Sequence, residues 1–421
     1  MTPRRLLVVL YHWPPVSSVG ASRWLAQAKY LRRLGHEVTV LTTSAFGTSA
    51  EDEAEGVVRA RDVVASRGVR RLLGRSPSPR EGVAVGEERP APPAVARLAV
   101  PDPTAASWAP FAAVAARRVV GEREIDCVIT SSPQESAHLV GLAAARDAAW
   151  IADFRDGWTF EPMRPRFYTA LQHRLDERLE RRVVTRADRV LAVSRPLAVD
   201  FRRRFDVDAV HVPNAYDPDL EAEPAAEVPE LSPDRISLVH TGALTGAWGR
   251  DPSPLRRALR DLPDADAKEL QLVVAGPPEE ARLLEEHGLA GRARHVGRLP
   301  RASALGLQRR ADVLVLVTSP YSGEATGKLA EYLGARRPIL ALAAGNEAAR
   351  VVEETGTGVA VSPGDPAAIT AALRDAASGR LAERFAPREL EPYSFPGSAA
   401  TVAAEVERAL EVRRTREETA R

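Results

Sequence analysis

Short apolar runs alternate with longer amphipathic stretches at the start of the chain. Leu6 to Leu10 and Val38 to Leu41 are continuous apolar runs of strand length, and the segment between them repeats apolar residues at helical spacing until Gly35. Strands that are apolar throughout belong to parallel sheets covered on both faces. The pattern predicts the first unit of a doubly wound α/β fold, with a ligand-contacting loop from Pro14 to Ala21 that contains Gly20. Serines that merely cap the following helix are an equally good interpretation of this loop.

The alternation of apolar runs and amphipathic stretches is lost between Ala45 and about Pro110, where charged residues mix with proline, glycine and serine. We predict a mobile segment over about residues 45–110 that holds short helices around Ala60 to Leu73 and after Trp108.

Alternation returns at Cys127, and a later apolar strand runs directly into Asp153, Arg155 and Asp156. Charges at the carboxyl end of a strand are costly in a core and expected in a cleft. Asp156 is therefore a candidate site residue.

The second half of the chain repeats the alternation of strand and helix. The sequence predicts an α/β protein of two Rossmann-like domains facing across a cleft. We place the N-terminal domain at residues 1–213, the C-terminal domain at 214–397 and a terminal segment at 398–421. The terminal helix is expected over Ser398 to Arg413, its packing back on the first domain is a hypothesis, and the arginine-rich tail is expected to fray.

The segment from Glu324 to Leu340 carries the strongest chemical signal. If Glu324 and Glu331 are both helical, their spacing of seven places them on nearly one face. Thr326 and Gly327 would let an anion approach the free N–H groups of a helix N-terminus, and Lys328 would add a positive charge. A carboxylate one turn further could accept hydrogen bonds from a ribose diol. An amphipathic core helix with solvated charges explains the same segment equally well.

Composition restricts the remaining possibilities. The chain of 421 residues has 58 basic and 57 acidic residues, so its net charge gives no general attraction to nucleic acid. The single cysteine excludes an internal disulfide framework. No uncharged apolar run approaches the roughly 18 residues that span a bilayer. We expect a cytoplasmic protein, and contact with the inner face of a membrane is left open.

Motifs along nearly the whole chain resemble the retaining GT-B glycosyltransferases of family 4. They include VVLYHWPPVSSVGASRW, DFRDGW, VSRPLAVDF, VPNAYD, VHTGAL, VVAGPP, VGRLP and TGKLAEYLGARRPIL, in the expected order. The resemblance implies transfer of a sugar from a nucleotide diphosphate sugar to a carbohydrate, lipid-linked or small-molecule acceptor. It also implies a retained anomeric configuration, no metal and no resident cofactor.

The resemblance also assigns roles to individual residues. Glu331 matches the ribose-binding glutamate, Lys328 and Arg250 match cations that meet the diphosphate, and Gly242 belongs to the phosphate-facing glycine loop. In the first domain, Gly20 lies in a loop near phosphate and acceptor, and Asp156 lies near the transferred sugar. The family's two glutamates are spaced one residue wider than Glu324 and Glu331, and Gly323 occupies the strict position.

Two other functions fit the same architecture. A sugar-nucleotide epimerase would need carboxylates and a histidine as acid and base, and it would turn over the donor without an acceptor. A non-catalytic nucleotide-sugar-binding protein would bind the donor without transfer. No nucleic-acid partner is expected, and the sequence leaves the oligomeric state open.

Overall fold

The computed structural model describes residues 2–16, 19–50, 52–63, 99–102, 105–160, 169–223, 227–244, 249–289, 291–324 and 326–420. The chain divides into two compact units. The first comprises Met1–Pro213 with Pro396–Arg421, and the second comprises Asn214–Phe395. Both are α/β structures built on a parallel sheet. Within the described ranges, no helix is long and apolar enough to cross a bilayer.

The first unit contains a seven-stranded parallel sheet in the order β3-β2-β1-β4-β5-β6-β7. Its strands are β1 (Arg5–Val9), β2 (Glu37–Thr43), β3 (Val57–Ala60), β4 (Cys127–Ser131), β5 (Ala149–Phe154), β6 (Arg189–Ala192) and β7 (Val210–His211). Its helices before the crossing to the second unit are α1 (Val19–Arg33), α2 (Ala109–Glu122), α3 (Ser136–Ala144), α4 (Ala170–Arg186) and α5 (Arg195–Phe205). The central strands β1, β4 and β5 are almost wholly buried, because helices cover both faces of the sheet.

The structure corrects the expectations for residues 45–110 and for the first loop. Ala60 ends strand β3, which pairs in parallel with β2, and does not begin a helix. Residues 64–98, which include most of the helix expected around Ala60 to Leu73, lie outside the described residues. The helix expected after Trp108 is confirmed as α2. Helix α1 already begins at Val19, so Gly20 lies in its first turn and the loop ends earlier than predicted.

The last helix belongs with the first unit for nearly all of its length. This helix, α15 (Phe395–Ala420), is 26 residues long. Arg4 forms two hydrogen bonds of 2.7 Å each with the Glu407 carboxylate, and Arg189 Nε lies 2.6 Å from Glu405 Oε2. The expected end at Arg413 is wrong, because the helix continues for almost two more turns.

The second unit contains a six-stranded parallel sheet in the order β10-β9-β8-β11-β12-β13. Its strands are β8 (Ile236–Thr241), β9 (Leu270–Ala275), β10 (Ala293–His295), β11 (Val313–Val317), β12 (Ile339–Leu342) and β13 (Gly358–Val361). Its helices are α6 (Pro218–Ala222), α7 (Ser253–Asp261), α8 (Asp264–Ala267), α9 (Glu279–Glu286), α10 (Arg301–Arg310), α11 (Gly327–Ala335), α12 (Glu347–Glu354), α13 (Pro366–Ala377), α14 (Arg380–Glu383) and a 3-10 turn at Glu391–Tyr393.

The strand order of the second sheet reverses between β8 and β11, which pair in parallel. Loops that leave the carboxyl ends of two such strands diverge and leave a crevice, which is where open α/β sheets bind ligands. The loop after β8 begins at Gly242, and the loop after β11 leads to Glu324 and then to α11. The topology of this unit therefore brings several of the predicted site residues to one edge.

Candidate functional site

Gly242 opens the loop after β8 in a backbone conformation that favours glycine. Its φ is +99°, and its N–H donates to the Ala275 carbonyl oxygen at 2.6 Å. A Cβ at this position would collide with the ammonium group of Lys328. Gly276, after β9, lies so close that its own Cβ would sit 2.5 Å from the Gly242 carbonyl oxygen. Glycine at both positions therefore permits a close approach of the two loops to each other and to the lysine.

Lys328 projects from the first turn of α11 onto this loop. Its ammonium donates a hydrogen bond to the carbonyl oxygen of Thr241. Desolvation lowers its pKa to about 8, with a further lowering by Arg250 and an opposing effect of Glu331. The lysine is therefore a partly buried cation that gains from any anion bound beside it.

The N-terminus of α11 adds a second source of positive potential. Thr326 is the N-cap, and its hydroxyl accepts from the Leu329 N–H at 3.2 Å. The cap occupies one of the first N–H groups, while those of Gly327 and Lys328 point out of the end of the helix. The structure thus brings Thr326, Gly327 and Lys328 to one helix start, as the sequence predicted.

Glu331 lies one turn further along α11, and its side chain is 30% exposed. Gln308 Nε2, from α10, lies 3.5 Å from Glu331 Oε2 and donates to Thr241 Oγ1 at 2.8 Å. Arg301 Nη2 lies 3.6 Å from Glu331 Oε1. Neither contact is short, so the carboxylate keeps oxygen lone pairs for a ligand.

Sequence reasoning missed Gln308, which is 1% exposed and joins Thr241 to Glu331. Its Oε1 is buried without a hydrogen-bond partner among the described residues. The available signal was a glutamine among apolar and small residues of the amphipathic helix α10, one helix before α11 in the chain.

Glu324 has a different setting from the one predicted. It precedes the Thr326 cap and is not helical, so the assumption that it shares a helix face with Glu331 is wrong. It is 8% exposed. One carboxylate oxygen accepts from both the N–H and the hydroxyl of Ser319, and the other lies 2.9 Å from Arg250 Nη2. Its carboxylate is already engaged in holding the loop after β11 and in orienting Arg250.

Arg250 thereby joins the same edge of the second unit. Its side chain is 22% exposed and is held by Glu324 on one side. Its positive charge adds to the lowering of the Lys328 pKa. Two cations and one helix N-terminus therefore lie at the same edge of this sheet, and such an arrangement suits a ligand with more than one negative charge.

His240 lies in strand β8, directly before Thr241. It is 1% exposed, its Nδ1 lies 2.9 Å from the Val315 carbonyl oxygen, and burial lowers its pKa to about 3. In the first unit His138 is fully buried against Phe154, and burial lowers its pKa to about 3 as well. Because both pKa values are low, both imidazoles are neutral near pH 7, and neither histidine carries the extra proton that an acid catalyst would donate.

The two candidates in the first unit lie at carboxyl ends of its strands. Gly20 is partly exposed in the first turn of α1, the helix that follows β1. Asp156 follows β5, and its carboxylate accepts from Arg155 Nη2 at 3.1 Å while remaining 38% exposed. Both are accessible to a ligand. They belong to a different unit from the groups around Lys328.

Asp153 is held inside the first unit, although the sequence predicted a cleft for all three charges at this strand end. It is fully buried, and its Oδ2 accepts from Trp24 Nε1 at 2.9 Å and from Ser131 Oγ at 2.7 Å. Arg23 Nη2 lies 3.5 Å from Asp153 Oδ1. The charge of Arg23 offsets that of Asp153, and the hydrogen bond from Trp24 ties Asp153 to α1, so Asp153 serves the packing of α1 against the sheet.

Two family models match the chain in sequence. The model described as Glycosyltransferase Family 4 matches residues 20–220, and the model described as Glycosyl transferases group 1 matches residues 237–378. Together they cover most of the chain and fall one on each half. No curated protein sequence matches the chain.

Solved structures of similar fold cover almost the whole chain. Sucrose-phosphate synthase from Thermosynechococcus elongatus aligns with a TM-score of 0.59 and 17% identity, over 99% of each chain. HepE of Anabaena, solved in complex with UDP, aligns with a TM-score of 0.56 and 14% identity, over 99% of each chain. UDP-GlcNAc 2-epimerase from Methanocaldococcus jannaschii aligns with a TM-score of 0.52 and 10% identity, over 96% of this chain and 99% of that one.

At these identities the structural similarity shows the fold alone, and the fold is shared by transferases and epimerases. The two sequence models decide between these classes, because both describe glycosyltransferases. The chain belongs to the glycosyltransferases of family 4 and group 1 type, with the GT-B fold.

Proposed function

We propose that this enzyme transfers a sugar, of the hexose type, from a nucleoside diphosphate sugar to a carbohydrate, lipid-linked or small-molecule acceptor. The observation that carries the proposal is the placement of the Lys328 ammonium on the carbonyl oxygen before Gly242, at the N-terminus of α11, with Glu331 one turn further. A diphosphate matches the cations and the helix end. A ribose diol matches the partly exposed carboxylate.

The reaction that fits this arrangement retains the anomeric configuration. The bond between the anomeric carbon and the diphosphate oxygen breaks, and the diphosphate leaves with the bonding electrons. The acceptor hydroxyl oxygen then bonds to the anomeric carbon from the same face, and its proton passes to the departing phosphate. Negative charge grows on the diphosphate in this step, so Lys328, Arg250 and the helix dipole stabilise the transition state more than the bound donor.

The positive charge that stabilises the departing diphosphate comes from the protein groups around Lys328. The proposal includes no metal and no resident cofactor. Among the described residues, no cluster of three or more histidine, cysteine or carboxylate side chains suits a metal ion. We assign Glu324 to orienting Arg250. Asp156 and Gly20 stay candidates for contacts with the transferred sugar and the acceptor.

A panel of nucleoside diphosphate sugars tests the proposal. Thermal-shift measurements should show stabilisation by one base and one sugar, and the same donor should release its nucleoside diphosphate only when an acceptor mixture is added. A chelator should leave the rate unchanged. Donor conversion to an epimer without acceptor would show an epimerase, and stabilisation without any turnover would show a binding protein.

A further inference from the structure

The outward face of helix α4, in the first unit, carries a row of arginines. Arg174, Arg178, Arg182 and Arg186 recur at every fourth position, and all four are exposed. Four residues advance the helix by about 400°, so each arginine drifts by roughly 40° from the previous one. The row therefore stays within about a third of the circumference and extends for roughly 18 Å along the axis.

Pairing with carboxylates distinguishes these arginines from others in the described part of the chain. In the described part of the chain, none of the four forms an ion pair or a side-chain hydrogen bond. Like charges four residues apart repel each other and disfavour the helix. By contrast, two exposed arginines on other helices have a carboxylate at this spacing: Arg118 has Glu122 at 2.8 Å, and Arg282 has Glu286 at 3.1 Å.

The carboxylates of α4 are turned away from the row. Glu180 is fully buried and bonds to Arg204 of α5 at 2.7 Å, and Asp176 accepts from Trp158 Nε1 at 2.8 Å. Glu177 is exposed but lies outside the stripe, and within the described ranges no ion pair joins it to an arginine. The buried bonds fix which face of α4 points outward, so the arginine face is a fixed feature of the fold.

Apolar side chains lie at the beginning of the same face. Leu171 is 72% exposed and Leu175 is 45% exposed, and both fall within the angular range of the arginines. Val199, on the neighbouring helix α5, is 65% exposed. The exposed leucines and the arginines beside them form one amphipathic surface. They suit the boundary between phosphate headgroups and acyl chains.

We propose that the α4 face, defined by Leu171, Leu175 and the four arginines, docks on an anionic phospholipid surface. The guanidinium groups pair with lipid phosphates, and the two leucines enter the acyl boundary. This surface lies on a helix outside the candidate site, and the proposal holds whatever sugar or acceptor the enzyme uses.

Vesicle flotation tests the proposal on the full chain. Wild type should float with phosphatidylcholine vesicles that contain phosphatidylglycerol, should not float with phosphatidylcholine alone, and should detach progressively as salt is added. Replacing Arg174, Arg178, Arg182 and Arg186 with glutamine should reduce the partition coefficient by well over tenfold, since each basic residue near an anionic surface contributes roughly fivefold. Leu171→Gln with Leu175→Gln should remove the part of the binding that resists high salt.

A matched variant controls for net charge. Arg118, Arg260, Arg282 and Arg384 are exposed arginines already paired with carboxylates, and their replacement by glutamine removes the same charge. This variant should float like wild type. Equal loss in both quadruple variants, no flotation of wild type, or tighter binding of wild type to a single-stranded RNA than to the vesicles would overturn the proposal. Circular dichroism melting confirms that each variant is folded.

Discussion

The Lys328 ammonium donates to the carbonyl oxygen of Thr241, which ties the first turn of α11 to the strand that precedes Gly242. The contact places a desolvated cation at the point where the strand order of the second sheet reverses. Because desolvation favours the neutral amine, the lysine and any bound anion depend on each other: the anion holds the proton on the lysine, and the protonated lysine holds the anion.

This coupling predicts a pH dependence. The pKa of Lys328 is lowered to about 8, so the charged form is present below that pH and is lost as the pH rises through it. In the proposed reaction kcat/KM should therefore fall above about pH 8, approaching tenfold per pH unit. Lys328→Arg keeps its charge and should lose this fall. A wild-type profile that stays flat to about pH 10 would contradict the role of the lysine.

Removal of the lysine should affect turnover more than donor binding. In Lys328→Ala we expect kcat to fall by about 100- to 1000-fold, because the lost cation acts on charge that develops in the transition state. The dissociation constant for the donor should rise by less, about tenfold. Single-turnover kinetics and calorimetry separate the two, and equal losses in both would argue against the assignment.

Glu331→Ala should weaken nucleotide binding. Hydrogen bonds to a charged group contribute about 1.5–3 kcal/mol, so we expect affinity for nucleoside diphosphates to drop by roughly 10- to 150-fold. Isothermal calorimetry measures the change. Glu353→Ala, which removes an exposed carboxylate from helix α12 of the same unit, is the control and should bind normally. An unchanged affinity in Glu331→Ala would rule out the ribose contact.

Glu324 and Arg250 should behave as a coupled pair. Glu324→Ala leaves the Ser319 N–H without its acceptor and frees Arg250, and we expect the unfolding free energy to fall by about 1–3 kcal/mol. A double-mutant cycle with Arg250→Ala in urea should give a coupling energy above about 0.5 kcal/mol. Additive losses would show that the two side chains act independently.

Gly242→Ala should impair catalysis beyond its cost in stability. The new methyl group would collide with the Lys328 ammonium, and φ is +99° at this position. Gly345→Ala is the matched control, since Gly345 has φ +64° and open space around its Cβ position. Both substitutions should destabilise the fold by about 1–3 kcal/mol, and only the first should lower kcat. Similar activities for the two variants would remove Lys328 from the proposed mechanism.

Features that arise from local periodicity could be predicted from the sequence. The strands of both sheets are apolar because both faces are covered, and that pattern is visible without a structure. Strand β3 was missed because Val57–Ala60 is a four-residue edge strand with an arginine in it. Thr326 and Lys328 could be placed because a cap and a first turn are local features.

Features that depend on packing between elements were mispredicted or missed. Glu324 would share a helix face with Glu331 only if both were helical, and the Thr326 cap excludes Glu324 from α11. Gln308 reaches Thr241 and Glu331 from another helix, a relationship that no spacing in the sequence encodes. Asp153 looked like a cleft residue because its partners Trp24, Ser131 and Arg23 are remote in the chain.

The pairing of Arg4 with Glu407 has a consequence for biosynthesis. Helix α15 fastens to the start of the first strand and, through Arg189, to a strand near the far side of the same sheet. A ribosome must therefore translate the entire second unit before the first can be completed. The sheet of the first unit is synthesised early, but the helix that packs on it is synthesised last. A chain truncated before α15 therefore leaves the ribosome without the helix that completes its N-terminal unit.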